Sequence, residues 1–296
     1  MKKIIFKGAG VAIVTPMNQD GSINYKALQD LTEQQIQNGT DCIVICGTTG
    51  EASTMTDEEH LECIRVAVEK TAGRVPVIAG TGSNDTAYSI WLSQKAKELG
   101  ADAQLQVTPY YNKTSQRGLV RHFSAIADAT DLPVFLYNVP SRTGVAIKPE
   151  TYFELSKHPN IVAAKEASGD IAALAHSIAL CKDDLSFYSG NDDMIVPLMS
   201  LGGLGVISVL SNIAPQETHD MCQLHLDGKQ KEAAAMQLKM MKLVAALFSD
   251  VNPIPVKQAL NFMGFPAGPC RLPLDEMSDA GKKALYDVLV EYNLAK

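Results

Sequence analysis

Lys165 closes an apolar run, Ile161-Val162-Ala163-Ala164, that reads as a strand with no polar face. Burial disfavours the ammonium form, and a neutral amine can attack a ketone or aldehyde to form a Schiff base. The other reading is a side chain that snorkels from the strand end to water. Tyr137 ends the run one repeat earlier, Pro133-Val134-Phe135-Leu136-Tyr137, so its phenol is a neighbour able to relay protons. Taken alone, it is equally a core tyrosine with a capped hydroxyl. Gly47-Thr48-Thr49-Gly50-Glu51 follows another apolar run. Its hydroxyls and backbone N–H groups, in a tight turn, suit a carboxylate or an oxyanion, or else are ordinary loop chemistry. Arg142 lies in a loop bracketed by Pro140 and Gly144. There its guanidinium either clamps a carboxylate bidentately or stands in solvent.

Other reactive residue types do not group. His60, His122, His158, His176, His219 and His225 show no H-E-x-x-H or paired spacing, so no metal site is expected. Cys42, Cys46, Cys63, Cys181, Cys222 and Cys270 form no C-x-x-C pair, which leaves no disulfide framework and points to a reducing cytoplasm. Cys42 and Cys46 are spaced to share one face of a strand as small buried hydrophobes. Gly202-Gly203-Leu204-Gly205 hints at a phosphate loop, but it precedes a strand and has no Lys or Arg nearby. No Ser sits in a G-x-S-x-G elbow.

The elements that must position these groups are short β-branched runs alternating with longer amphipathic stretches. The runs are Val11–Val14, Cys42–Cys46, Val75–Ala79, Ala103–Val107, Pro133–Tyr137, Ile161–Lys165, Ser186–Ser189 and Gly205–Ser208. Most are apolar on both faces, as parallel strands covered by helices are. Thr56-Asp57-Glu58-Glu59 is a capping box opening a helix. Asn84 or Asp85, Ser115 and Asp170 cap three more. Repeated strand-helix units about 25–35 residues apart predict an α/β protein, a (β/α)8 TIM barrel with a C-terminal helical extension. A doubly wound open sheet is the competing fold, but no G-x-G-x-x-G follows the first run. The barrel is expected over residues 1–226. Residues 227–296 form a helical region, with helices over Lys229–Ser249, Val256–Met263 and Ser278–Leu294. In such a barrel the strands' C-terminal ends carry the active site, where the residues named above fall.

Composition narrows the function classes. The chain has 296 residues, 26 Lys and Arg against 33 Asp and Glu, and a net charge of −7. That balance fits neither the phosphates of nucleic acid nor an anionic membrane. At 46% hydrophobic the chain is expected to fold. No apolar run is long enough for a membrane span, and the start, Met1–Lys7, does not read as a secretory leader.

Gly47-Thr48-Thr49-Gly50-Glu51, Tyr137-Asn138-Val139-Pro140-Ser141-Arg142-Thr143-Gly144, Lys165-Glu166 and Asn252-Pro253-Ile254-Pro255-Val256-Lys257 together closely resemble the dihydrodipicolinate synthase family. This family belongs to the pyruvate-dependent class I aldolases, which also include N-acetylneuraminate lyase. The resemblance spans essentially the whole chain. It implies a lyase in which Lys165 forms a Schiff base with pyruvate and no separate cofactor is needed. The enamine then attacks L-aspartate 4-semialdehyde, on the diaminopimelate route to lysine. It implies a proton relay of Thr49, Tyr137 and Tyr111, the last supplied by a neighbouring subunit. Thr48 and Thr49 would hold the pyruvate carboxylate and Arg142 that of the semialdehyde. Gly190 and Ile207 would line the pyruvate site by their backbones. It also implies a homotetramer, a dimer of dimers. An aldolase of sugar acids is the alternative within the superfamily, but those lyases lack the S-R-T-G loop. A catalytically silent barrel, the alternative outside it, has no need of a strand-end lysine. His60, Asn84 and Tyr110 match a lysine effector site, but Tyr88 stands where sensitive members carry a glutamate, which implies weak or no inhibition by lysine.

Overall fold

The structure is a computed structural model that describes residues 2–296; Met1, the first residue of the segment weighed as a leader, lies outside them. Eight parallel strands close on themselves in sequence order. They are β1 (Gly8–Ala12), β2 (Cys42–Ile45), β3 (Val77–Gly80), β4 (Ala103–Val107), β5 (Val134–Asn138), β6 (Ile161–Glu166), β7 (Ser186–Ser189) and β8 (Gly205–Ser208). Pairing of β1 with β8, Gly8 opposite Gly205, shuts the barrel and rules out the open sheet.

Period-2 alternation divides each strand between the lumen and the surrounding helices. On β5, Phe135 and Tyr137 face inward, while Val134 and Leu136 pack outward. On β2, Cys42 and Val44 face inward, and Ile43 and Ile45 outward. Phe6, just before β1, stacks on Tyr188 from β7 with ring centroids 4.5 Å apart, and the Tyr188 hydroxyl donates to the Phe6 carbonyl. With Phe135 these rings fill the lumen.

The helices are α1 (Tyr25–Gln37), α2 (Asp57–Thr71), α3 (Thr86–Glu98), α4 (Gln116–Asp128), α5 (Pro140–Thr143), α6 (Pro149–Leu155), α7 (Ile171–Cys181), α8 (Ile195–Ser200), α9 (Pro215–Leu226), α10 (Gln230–Leu247), α11 (Ile254–Phe262) and α12 (Asp279–Glu291). Start signals act where the sequence places them. Thr56 and Glu59 form the reciprocal capping box of α2. Ser115 accepts from Gly118 N, and Asp170 from Ala173 N. For α3 the cap is Asp85, whose side chain accepts from Ala87 N and Tyr88 N, rather than Asn84.

Two expectations are corrected. β1 pairs over Gly8–Ala12 instead of Val11–Val14, because the ladder with β8 runs through Gly8 and Gly10, which carry no side-chain signal. Cys46 does not share a face with Cys42. The strand ends at Ile45, and Cys46 turns to φ 54°, which carries its side chain outward to the His60 carbonyl. After α9 the chain adds α10–α12, whose Leu243, Val256 and Leu285 share one apolar cluster with Val11 and Ile43. Among the described residues no helix is long and apolar enough to cross a membrane.

Candidate active site

Lys165 enters the lumen because β6 carries one extra residue. Ile161 faces outward. Strict alternation from Ile161 would therefore turn 163 and 165 outward too. The register with β5 shifts instead, with Val134 opposite Ile161 and Phe135 opposite Ala163, so Val162 has no partner of its own. Val162 and Ala163 both face the lumen, Ala164 faces out, and Lys165 points in. A β-bulge of this kind re-aims every side chain beyond it. Lys165 is 5% exposed, and its Nζ lies 4.4 Å from the centroid of the Tyr137 ring on the adjacent strand. Register places the two residues directly opposite each other.

Glu166, next along, faces the helical layer and is fully engaged. Both its oxygens accept from Asn138 Nδ2, Oε2 accepts from the Tyr152 hydroxyl, and Oε1 from Ser168 N. This fixes the end of β6 and hence the Lys165 backbone. Gly190 donates its N–H to the Glu166 carbonyl at 2.7 Å. A Cβ on Gly190 would lie 2.7 Å from Ala167 Cβ and 3.2 Å from Lys165 Cε, so the close approach to the lysine needs glycine there. Ile207 faces the lumen from β8, fully buried beside Tyr188 and Tyr137 in one cluster.

The Gly47–Glu51 loop is a tight turn closed by Gly50 N to Gly47 O and Glu51 N to Thr48 O. Thr48 and Thr49 N–H have no acceptor among the described residues, which leaves two donors free for a carboxylate oxygen. Thr48 is exposed and Thr49 is buried. Glu51 adopts φ 57°, and a buried ion pair anchors it from behind. Lys257 Nζ donates to Glu51 Oε1 at 2.8 Å, and Arg271 N donates to Oε2. Asn252 completes the loop's support, its Nδ2 donating to Thr49 Oγ1 at 3.0 Å. Arg142 Nη2 in turn donates to the Asn252 carbonyl at 3.1 Å.

Thr48, Tyr137, Arg142 and Tyr110 line one cavity of about 360 Å³. His60 and Tyr88 line it too. Thr49, Lys165, Gly190 and Ile207 do not line it; the Lys165 amine lies over the ring of Tyr137, which does. Tyr111 is not brought to the lysine within the chain: it is 92% exposed, at φ 67°. Asn84 lies in a separate cavity of about 430 Å³ with Lys113, Arg121 and His122, so the three expected effector residues are split between two cavities. His60 Nε2 meets the Gly80 carbonyl at 2.8 Å, and burial holds the imidazole below its ordinary pKa. The Tyr88 hydroxyl donates to Asp57 Oδ1 at 2.6 Å.

Three groups here have no role legible from sequence. Asn252 and Lys257 stand in a tail motif some 200 residues from the loop they support. Asp192, two residues past Gly190, is buried; its Oδ2 accepts from Val209 N and Leu210 N just beyond β8. Burial pushes that carboxyl up from its ordinary pKa. A Glu beside a turn glycine and an Asn-Pro breaking a helical tail are the available signals, and neither names a partner. Among the described residues no three His, Cys, Asp or Glu side chains gather as a metal site would require.

Comparison with known proteins agrees with this architecture. Residues 5–292 match the Dihydrodipicolinate synthetase family. A 4-hydroxy-tetrahydrodipicolinate synthase of Lachnoclostridium phytofermentans is 58% identical over 291 residues, covering 98% of this chain and 99% of the relative. A dihydrodipicolinate synthase from Acinetobacter baumannii, solved complexed with pyruvate, superposes with a TM-score of 0.96 at 43% identity, covering 98% of this chain and all of that one. Another, from Cyanidioschyzon merolae with lysine bound, has a TM-score of 0.96 at 41% identity, covering 99% and 100%. With the family profile matched across nearly its full length and relatives above half identity, the chain belongs to the dihydrodipicolinate synthetase family.

Proposed function

We propose that the chain is a 4-hydroxy-tetrahydrodipicolinate synthase, a carbon–carbon bond-forming lyase that condenses pyruvate with L-aspartate 4-semialdehyde and needs no separate cofactor. The observation that carries the assignment of roles is Lys165, buried in the lumen with its Nζ 4.4 Å from the Tyr137 ring. The lysine amine adds to the pyruvate ketone and loses water to give an imine. Loss of a methyl proton gives the enamine, which attacks the aldehyde carbon. The semialdehyde's own amine then attacks the imine carbon and displaces Lys165, closing the ring. Each proton transfer needs a positioned hydroxyl, and Tyr137 and Thr49 supply them, joined by Tyr111 from a neighbouring subunit. The Thr48–Thr49 turn holds the pyruvate carboxylate, and Arg142 holds that of the semialdehyde. Gly190 and Ile207 line the pyruvate site. Residues 1–226 form the catalytic barrel and 227–296 the region that supports its loops. The assembly is a homotetramer built as a dimer of dimers, working in the cytoplasm.

Borohydride reduction in the presence of pyruvate tests the central step. A mass gain on Lys165, absent in Lys165→Ala, is expected. An unmodified Lys165 would remove the Schiff-base reading. A substrate panel comparing aspartate semialdehyde with sialic acid and keto-deoxy sugar acids tests the second substrate, and faster turnover of a sugar acid would reassign it. His60, Asn84 and Tyr110 are the candidate lysine effector residues. With the Tyr88 phenol in place of a carboxylate to pair the effector's ammonium, lysine at millimolar concentration should inhibit weakly or not at all.

A further inference from the structure

The Asn252 side chain touches the hydroxyl assigned to the relay, and its backbone touches the guanidinium assigned to the second substrate. Nδ2 donates to Thr49 Oγ1 at 3.0 Å, and the carbonyl accepts from Arg142 Nη2 at 3.1 Å. The residue is 6% exposed, and its Oδ1 is buried without a partner. A threonine hydroxyl has one proton to give and two lone pairs to fill. With an amide N–H on one lone pair, the Thr49 proton is left to be donated elsewhere. Thr49 Oγ1 makes no other hydrogen bond among the described residues. The reversed amide would place Oδ1 against Thr49, consume that single proton and leave both Nδ2 hydrogens buried unpaired. As placed, the amide leaves one Nδ2 hydrogen and Oδ1 unpaired.

We infer that Asn252 is a positioning residue that sets the polarity of the Thr49 hydroxyl, keeping its proton free to be donated within the proposed relay and so fixing the direction in which that proton is passed. The role rests on the reading of Thr49 as a relay member. It brings the C-terminal region into the chemistry without contact with substrate.

Asn252→Asp tests this with an isosteric side chain. A carboxylate only accepts, so Thr49 must turn its proton toward it and away from the relay. The expected result is a loss of about 100-fold in kcat, within the range general acid–base groups supply, with the pyruvate KM within about threefold. Asn252→Ala removes the donor while keeping the backbone bond to Arg142. It frees the hydroxyl instead of reversing it, so a smaller kcat loss, about tenfold, is expected. Asn252→Ala serves alone if the aspartate variant does not fold. Folded variants with kcat within twofold of wild type would overturn the inference, as would equal losses in kcat and pyruvate affinity. Thr49→Val separates the two layers. Wild-type turnover there would sink the relay reading itself, whereas a crippled Thr49→Val beside active Asn252 variants would sink only the polarity role.

Discussion

Gly190 shows how narrow the tolerances around Lys165 are. Its backbone runs close enough that a methyl group would meet Ala167 Cβ at 2.7 Å and Lys165 Cε at 3.2 Å. The lysine tip is the softer neighbour and gives way first. Gly190→Ala is therefore expected to lower kcat by about tenfold or more, since misplacing a reacting group by an ångström costs up to about 100-fold. Overpacking should cost about 1–3 kcal/mol of stability. A variant with undiminished kcat would show that the lysine has slack. His122 makes a separate, pH-dependent contribution. Its Nδ1 pairs with Thr86 Oγ1 at 2.8 Å, its Nε2 is buried without a partner, and burial pushes its pKa down to about 4. The native state thus keeps the ring neutral while the unfolded chain, titrating near 6.5, takes up a proton. Stability present above pH 6.5 is lost as the pH falls toward 4. Denaturant melts between pH 7.5 and 4.5 should show His122→Gln losing less than wild type, by up to about 3 kcal/mol. Parallel slopes for the two proteins would show that His122 does not drive the decline.

At the scale of elements, much is legible because each signal is local. The runs Ala103–Val107, Ser186–Ser189 and Gly205–Ser208 are strands with those bounds. The caps at Thr56, Ser115 and Asp170 each act through a bond three residues away. What is not legible depends on pairing across the chain. The strand run of β6 gives no sign that Val162 is the odd residue, because Ile161 to Ala164 are all apolar and any of them would fit either face. The bulge exists only against β5. Likewise Asn252 and Lys257 find their partners across the fold from positions that periodicity assigns to a helix start. Deleting Val162 makes the point testable. Without it, alternation from Ile161 runs unbroken, with Ala163 in, Ala164 out and Lys165 in, so the lysine keeps its place opposite Tyr137. The deletion variant should still give the borohydride-trapped pyruvate adduct on Lys165, as should Val162→Ala, which keeps the residue count. A deletion variant that folds but forms no adduct would show that the lysine is held inward by something other than this register.

The whole molecule carries a net charge of −7, yet pyruvate is an anion and the semialdehyde, a zwitterion, also presents a carboxylate. Its overall field therefore opposes the approach of pyruvate and does nothing to draw in the semialdehyde, and capture of both carboxylates falls to local donors, the Thr48–Thr49 turn and Arg142. One member of the proposed relay is missing from this local set. Tyr111 is 92% exposed, beyond β4 and outside the cavity that holds Tyr137 and Tyr110. A chain on its own is thus one hydroxyl short, and a symmetric dimer would exchange the tyrosines reciprocally, since an isologous interface gives each site what it takes from the other. Complementation distinguishes this from a relay confined to one chain. Tyr111→Phe and Lys165→Ala each disable every site in their own homo-oligomers. Mixed at equal amounts and allowed to exchange, half of the dimers are heterodimers, and in each one site combines an intact lysine with an intact partner tyrosine. Activity should therefore rise to roughly a quarter of the wild-type value. A mixture that shows only the sum of the two parents' residual rates, with exchange verified by mass, would place Tyr111 outside the relay or within its own chain's site.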